Sequence, residues 1–266
     1  MKSSLSNHFN RLGGAASAIL LATSLSSSAA IIFADNFDAV DGTVGTALNG
    51  RTTTTGGGTW LANSIATIDG TTGTGVTTAF QGSAQLGYTF AANNVYTLSI
   101  DVVNQLGDGG SWIHLGFSQS PITVPGGGTG NDRFTNIGSV AWMYNLNAAS
   151  GQVTFLEGPA TGGTSVPSLT VPTADHTMSV VLDTTGDGST FTADLLSNGV
   201  SLLTGGPILV DSVTVADLKY AHWGIYGGAV GEGSQVDNFE FSVIPEPSAA
   251  LLGGLGVLAL LRRRRL

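Results

Sequence analysis

Cysteine is absent from the 266 residues, which removes disulfides, thiolate metal sites and a cysteine nucleophile from consideration. A body of roughly 200 residues can hold itself together through its own core, so the absence does not argue against an exported domain. Charge is also scarce: charged residues make up 10% of the chain, too few to solvate the outer faces of long helices. Positive charge is the scarcest of all. Of nine basic residues, Lys2, Arg11, Arg262, Arg263, Arg264 and Arg265 lie in the terminal segments, leaving Arg51, Arg133 and Lys219 for the body. Against those three stand 17 of the 18 carboxylates, all between Asp35 and Glu240, a net of −14. Nucleic acid is excluded as a partner, because phosphate binding needs a basic face.

What remains is rich in glycine, with 39 residues, and in threonine and serine. Lys2 and Arg11 precede an apolar run over residues 12–25, and small residues follow to Ala30. That is the three-part pattern of a secretory signal, with Ser28 and Ala30 as the small residues before the scissile bond. The expected cleavage separates Ala30 from Ile31, an uncleaved amphipathic helix being the alternative. Signal peptidase is the implied processing partner.

At the other end, Pro245-Glu246-Pro247 leads into apolar or small residues 248–261 and then into Arg262 to Arg265. At ~1.5 Å per residue, a helix of about 14 residues reaches only about 21 Å, short of the ~30 Å hydrocarbon core. Snorkelling arginines and a compressed bilayer extend that reach. Four arginines fix the direction, keeping that end cytoplasmic and the body outside. The prolines are expected to stop the β ladder and form a stiff spacer accessible to a protease. Residues 1–30, 31–243 and 244–266 are therefore expected to be signal peptide, one β domain and an anchor segment.

The order of Pro-Glu-Pro, short helix and arginine cluster resembles the PEP-CTERM sorting signal of bacteria with outer membranes and extracellular polysaccharide. The resemblance covers residues 243–266 and implies recognition of Pro245, Glu246 and Pro247 by exosortase, a membrane protease. It implies an inner-membrane intermediate held by the C-terminal helix, then delivery to the cell surface or extracellular matrix. An ordinary single-pass anchor is the plain alternative.

Within the body, apolar residues recur with period two. Tyr96, Leu98, Ile100 and Val102 alternate with Thr97, Ser99 and Asp101, the signature of a half-buried strand. Similar runs fall at 111–117, 140–144, 152–156, 178–182, 191–195, 222–226 and 236–243. Asp183-Thr184-Thr185-Gly186-Asp187-Gly188 supplies the turn of a hairpin between two of them. No capped 3.6-residue pattern lasts beyond about two turns, so the pattern indicates an all-β antiparallel sandwich or barrel. The body resembles the LamG-like, concanavalin-type jelly rolls through Phe33-Ala34-Asp35-Asn36-Phe37-Asp38, the 182–188 turn and Val236-Asp237-Asn238-Phe239-Glu240-Phe241. That resemblance implies that the first and last strands lie side by side.

Candidate chemistry is sparse. Glycoside hydrolysis needs two facing carboxylates about 5–10 Å apart, and the Glu-x-Asp-x-Glu array of related glucanases is missing. Asp237 and Glu240, three apart, are expected on opposite faces of a regular strand. His114, His176 and His222 have no nucleophile elbow beside them and no metal-ligand spacing. No catalytic residue or cofactor is assigned. Asp183 and Asp187 offer hard oxygens to a structural calcium ion, although Asp and Gly also shape turns by themselves. Trp112, Trp142 and Trp223 are the candidate sugar contacts, with Trp60, Tyr144 and Tyr226 as further aromatics; burial in a core is the plain reading. Gly126-Gly127-Gly128-Thr129-Gly130 lacks the lysine of a phosphate loop. The stretch Thr52-Thr53-Thr54-Thr55-Gly56-Gly57-Gly58 reads as a loop with hydroxyls free for matrix contacts. The function expected is a non-enzymatic surface or matrix protein associated with extracellular polysaccharide, the alternatives being a purely structural surface protein and a polysaccharide-degrading enzyme.

Overall fold

A computed structural model describes residues 28–38, 45–63, 66–68, 76–78, 81–103, 112–121, 139–145, 153–158, 164–166, 175–186, 189–226 and 235–245. In chain order the strands are β1 (Ala30–Asp35), β2 (Leu61–Ala62), β3 (Ala66–Ile68), β4 (Val76–Thr78), β5 (Gln81–Gly87), β6 (Asn94–Val103), β7 (Trp112–Ser118) and β8 (Ser139–Asn145). They continue as β9 (Val153–Gly158), β10 (Thr164–Val166), β11 (His176–Asp183), β12 (Phe191–Ser197), β13 (Val200–Ser201), β14 (Ile208–Val210), β15 (Tyr220–Tyr226) and β16 (Gln235–Pro245). One 3-10 turn, Val215–Asp217, precedes β15.

Two sheets share these strands. A nine-stranded sheet runs β13-β12-β11-β6-β16-β4-β3, with β1 paired to β16 and β14 to β12; a seven-stranded sheet runs β10-β9-β8-β7-β15-β5-β2. Every pairing between the described strands is antiparallel. The expected antiparallel sandwich is therefore the fold observed.

The nine-stranded sheet follows the alternation read from its residues. Tyr96, Leu98, Ile100 and Val102 of β6 are buried while their neighbours are half-buried. Met178, Val180 and Leu182 of β11 and Phe191, Ala193 and Leu195 of β12 continue the same face, and the hairpin pairs Leu182 with Ala193. Phe241 of β16 is the hub of this layer. Its ring centroid lies 5.0 Å from Tyr88, 5.7 Å from Phe90 and 5.8 Å from Phe117 of the opposing sheet, the spacing at which aromatic pairs gain most. Burying each such side chain stabilises the fold by about 1.5–3 kcal/mol.

The seven-stranded sheet departs from simple alternation. Residues 113–118, 221–225, 82–86 and 140–142 are buried without interruption, the pattern of strands covered on both faces. One face, carrying Leu115, Phe117, Ala221 and Trp223, joins the common core. The other carries His114, His222, Ser83 and Gln85, all buried.

The prolines do not stop the ladder where the sequence suggested. Strand β16 runs through Ile244 to Pro245, which pairs in register with Asn94, so the domain's last strand extends two residues past the expected boundary at 243. Proline is tolerated there because it stands at the strand's last position, where a missing N–H breaks no further rung. Of the expected signal peptide (residues 1–30), residues 1–27 lie outside the described residues, as do Glu246, Pro247 and residues 248–266, while Ala30 is the first residue of β1. Among the described residues no helix is long and apolar enough to cross a membrane.

Candidate functional site

Two of the three motifs that carried the jelly-roll resemblance, residues 33–38 and 236–241, meet in space. Strand β1 pairs with β16 so that Ala34 faces Glu240 and Asp35 faces Phe239, as expected for first and last strands side by side. Asp35 is the fixed point of the junction. Its carboxylate, 1% exposed, accepts hydrogen bonds from Trp60 Nε1 at 2.7 Å, Arg51 Nη2 at 3.0 Å, the Phe37 backbone N–H at 3.0 Å and Thr54 Oγ1 at 3.3 Å. A buried charge is tolerated only when paired and hydrogen-bonded in this way. The Arg51 ion pair also neutralises it.

This anchoring folds the threonine-glycine stretch onto β1. Thr54 Oγ1 also donates to Asn36 Oδ1 at 3.1 Å, and Thr53 Oγ1 donates to the Thr55 carbonyl at 2.8 Å while accepting from Gly58 N–H at 2.9 Å. Hydroxyls expected to be free for an outside partner are thus engaged within the domain. Gly56, at φ +87°, stands where a Cβ would come 1.8 Å from the Ile32 carbonyl oxygen, so only glycine lets the turn close over β1.

Beside the junction opens a cavity of about 260 Å³, lined by residues 34–36, Thr54, Thr55 and residues 238–240. Its floor depends on an irregularity in β16. Asp237 pairs with Asp101 and Glu240 with Ser99, so two β16 residues bulge between rungs only two β6 residues apart. Asn238 takes a left-handed φ of +47° there, a conformation Asn accepts more readily than most residues. The bulge corrects the sequence expectation: Asp237 and Glu240 share the sheet's outer face, because the extra residue restores the alternation.

Three carboxylates therefore gather on that face. Asp101 is held by Thr177 Oγ1 at 2.6 Å and Asn238 Nδ2 at 2.9 Å. Burial is the main cause pushing the Asp237 carboxyl above its usual range. The Asn238 N–H opposes this, while the charges of Asp38, Asp101 and Asp35 add to it. Among the described residues, no cluster of three His, Asp or Glu side chains has the geometry to hold a metal ion.

The aromatic candidates fall elsewhere. Trp142 and Trp223 are 0% exposed, and Trp223 packs against Phe37 and Trp60 at 6.0 and 6.4 Å. Neither ring can stack on a sugar, because each points between the sheets; Trp60 is buried with them. The side chains of Trp112, Tyr144 and Tyr226 lie outside the described set. Of the calcium candidates, Asp183 accepts the Thr185 N–H at 3.0 Å and so shapes its own turn, while Asp187 lies outside the described residues, as do Arg133 and residues 126–130.

His114 and His222 form the second polar feature. Their rings lie 5.9 Å apart at 77° on the sheet face away from the core. Gly224, opposite His114, leaves the space that the imidazole fills: a Cβ there would come 2.1 Å from His114 Nε2. Burial drives the His222 pKa down to about 3, partly offset by the Phe117 backbone. His114 is pushed well below its ordinary range by burial and by His222, against a raising contribution from the Trp223 backbone. Both rings are neutral at pH 7. Sequence spacing hid this pair, since two strands distant in the chain supply it.

Neither a family model nor a curated protein sequence matches the chain. Among solved structures the fold is similar to an endo-1,3-beta-glucanase from Streptomyces sioyaensis, 14% identical, with 82% of this chain and 98% of that one covered at a TM-score of 0.51. The carbohydrate recognition domain of Emp47p aligns at 14% identity over 80% of this chain and 99% of its own, with a TM-score of 0.47. A legume lectin-like domain from Entamoeba histolytica aligns at 9% identity over 68% and 88%, with a TM-score of 0.43. At such identities the likeness concerns the fold alone.

Proposed function

We propose that the chain is an exported, exosortase-sorted protein of the bacterial surface or extracellular matrix. In this reading its LamG-like jelly roll associates with exopolysaccharide without turning it over. The observation that carries the sugar reading is the open cavity at the β1–β16 junction, whose lining includes Asn36, Thr54, Asn238 and Glu240, residues that carry amide, hydroxyl and carboxylate groups. At about 260 Å³ it is smaller than the ~300–1,000 Å³ pockets of larger ligands, which suits one sugar unit of a chain. The glucanase of similar fold shows that such a sandwich can carry a polysaccharide site. Support for sorting comes from Pro245-Glu246-Pro247, the apolar stretch 248–261 and Arg262 to Arg265.

The test is pull-down and calorimetry with the host's exopolysaccharide, using wild type and an Asn36→Ala/Asn238→Gly variant. Glycine at 238 keeps the positive φ while removing the amide. Binding that weakens about tenfold or more, about 1.4 kcal/mol, supports the cavity; equal binding by both chains places sugar elsewhere. No binding by wild type favours a purely structural role.

A hydrolase reading is favoured by one observation, the shared face of Asp101, Asp237 and Glu240 with the raised Asp237 carboxyl. Release of reducing ends from the polysaccharide, abolished by Asp237→Asn, would establish it.

A further inference from the structure

The end of β16 and the start of β1 lie at one rim of the sandwich. Val243 pairs with Ala30 and Ser242 with Ile31 on one side, while Val243, Ile244 and Pro245 pair with Tyr96, Val95 and Asn94 on the other. The β6 side of this clasp is firmly held. Tyr96 Oη donates to the Ala91 carbonyl at 2.9 Å and accepts from the Ala91 N–H at 2.8 Å. Asn94 Nδ2 donates to the Ala91 and Ala92 carbonyls at 3.1 and 3.0 Å, and the Asn94 carbonyl accepts from buried Thr184 Oγ1 at 2.7 Å. Any separation at this rim therefore has to come from β16 lifting away. Pro245 is exposed and Val243 and Ile244 are half-buried.

A protease commonly grips its substrate as an extended strand, pairing with the backbone of several residues around the motif that it reads. Here the first proline of the motif is already a rung of the ladder, and the two residues before it are paired in the sheet. At ~3.3 Å per residue, Glu246 and Pro247 supply only about 7 Å of chain beyond that rung. An enzyme reading Pro-Glu-Pro with any residue on its N-terminal side competes with β6 for the same backbone groups.

We propose that the folded body gates processing of its own tail: Val243, Ile244 and Pro245 form a latch that must lift from β6 before the sorting protease can engage. This rests on the sorting reading above and adds the step that limits it. Because Ile31, the expected first residue after signal cleavage, pairs with Ser242 just before the latch, a β1 strand seated in place steadies it, so folding and tail removal are in competition.

The experiment is a pulse-chase of the full-length chain in its native host, following loss of the tail by mass. A Gly-Ser spacer of about eight residues, up to roughly 25 Å when extended, is inserted between Ile244 and Pro245. A second chain carries the same spacer between Pro247 and Ser248, which leaves the rungs intact while lengthening the path to the membrane. The first spacer should speed tail loss about tenfold or more, about 1.4 kcal/mol, and the second should not. Equal rates in all chains, or equal acceleration by both spacers, would overturn the latch while leaving sorting intact. If no chain loses its tail, sorting fails and the latch with it. On the unmodified full-length chain in detergent micelles, at least one of the Val243 and Ile244 amides should exchange roughly tenfold or more slowly than in a free peptide of that sequence. Free-peptide rates at both would overturn the latch without any variant.

Discussion

Acid should weaken this fold through two buried imidazoles, His114 and His222. His222 faces Gln85 and Gly116 across the sheet, and His114 faces Gly224, which in turn faces Ser83; no carboxylate stands at these positions to welcome a cation. The folded pKa of His222 is about 3, and that of His114 is well below 6.5. An unfolded histidine titrates near 6.5, so between that value and the folded pKa the unfolded chain binds more protons. Stability is then fully present above pH ~6.5 and is lost as pH falls, by about 1.4 kcal/mol per pH unit for each ring. At pH 5 the loss from His222 alone is roughly 2 kcal/mol, and His114 adds to it in the same direction, a sizeable share of the ~5–15 kcal/mol typical of a domain. With an m-value of ~2 kcal/mol/M, the urea midpoint should fall by about 1 M or more between pH 7.5 and pH 5. The carboxyl of Asp237, raised by burial, acts with the opposite sign, and since the ordinary Asp value is about 3.9 its effect is centred at lower pH. Replacing His222 with Gln should reduce the pH slope to the part due to His114, whatever it does to stability at pH 7.5. A wild-type midpoint unchanged between pH 7.5 and pH 5 would refute the reasoning.

Three further outcomes follow from the junction. Gly56→Ala should destabilise the domain by ~2 kcal/mol or more, because its Cβ meets the Ile32 carbonyl as well as a left-handed φ. Gly57→Ala, where φ is +68° and nothing lies within 4 Å, should cost only about 1 kcal/mol, and urea melts of the two would show it. Asp35→Ala strands Arg51 and the Trp60 indole N–H, so thermal and urea melts should report a loss of about 3–5 kcal/mol. Asp237→Asn removes a carboxylate that the fold disfavours in its charged form while keeping an acceptor for the Asn238 N–H, now at 2.7 Å. Its urea midpoint should rise at pH 7 and converge on wild type as the pH falls through the Asp237 pKa.

Strands with one wet face were legible because their residues declare it. The alternation from Tyr96 to Val102 gave β6, and the Asp-Gly turn gave its neighbours' hairpin. The seven-stranded sheet hid its tryptophans for the converse reason: buried on both faces, it offers no contrast between a ring in the core and a ring on a binding surface. Asp237 and Glu240 were assigned to opposite faces because counting by two assumes a regular strand, and only Asn238 in its left-handed conformation signals the bulge. The threonine-glycine stretch looked like slack chain. Its glycine at 56 is fixed by the carbonyl of Ile32, a contact across 24 positions that no local pattern records. Pro245 likewise read as the end of order, since a proline's conflict with a ladder is local while its acceptance at a final rung depends on Asn94. The cavity could be guessed only in part: its two motifs were visible, but the arm carrying Thr54 was not.

The account as a whole stands on export and processing of both ends, and intact-mass measurement of the protein recovered from its native host reads both together. It predicts a species beginning at Ile31 and lacking the residues after the Pro-Glu-Pro region. A mature protein that still carries Met1 and Leu266 would contradict it.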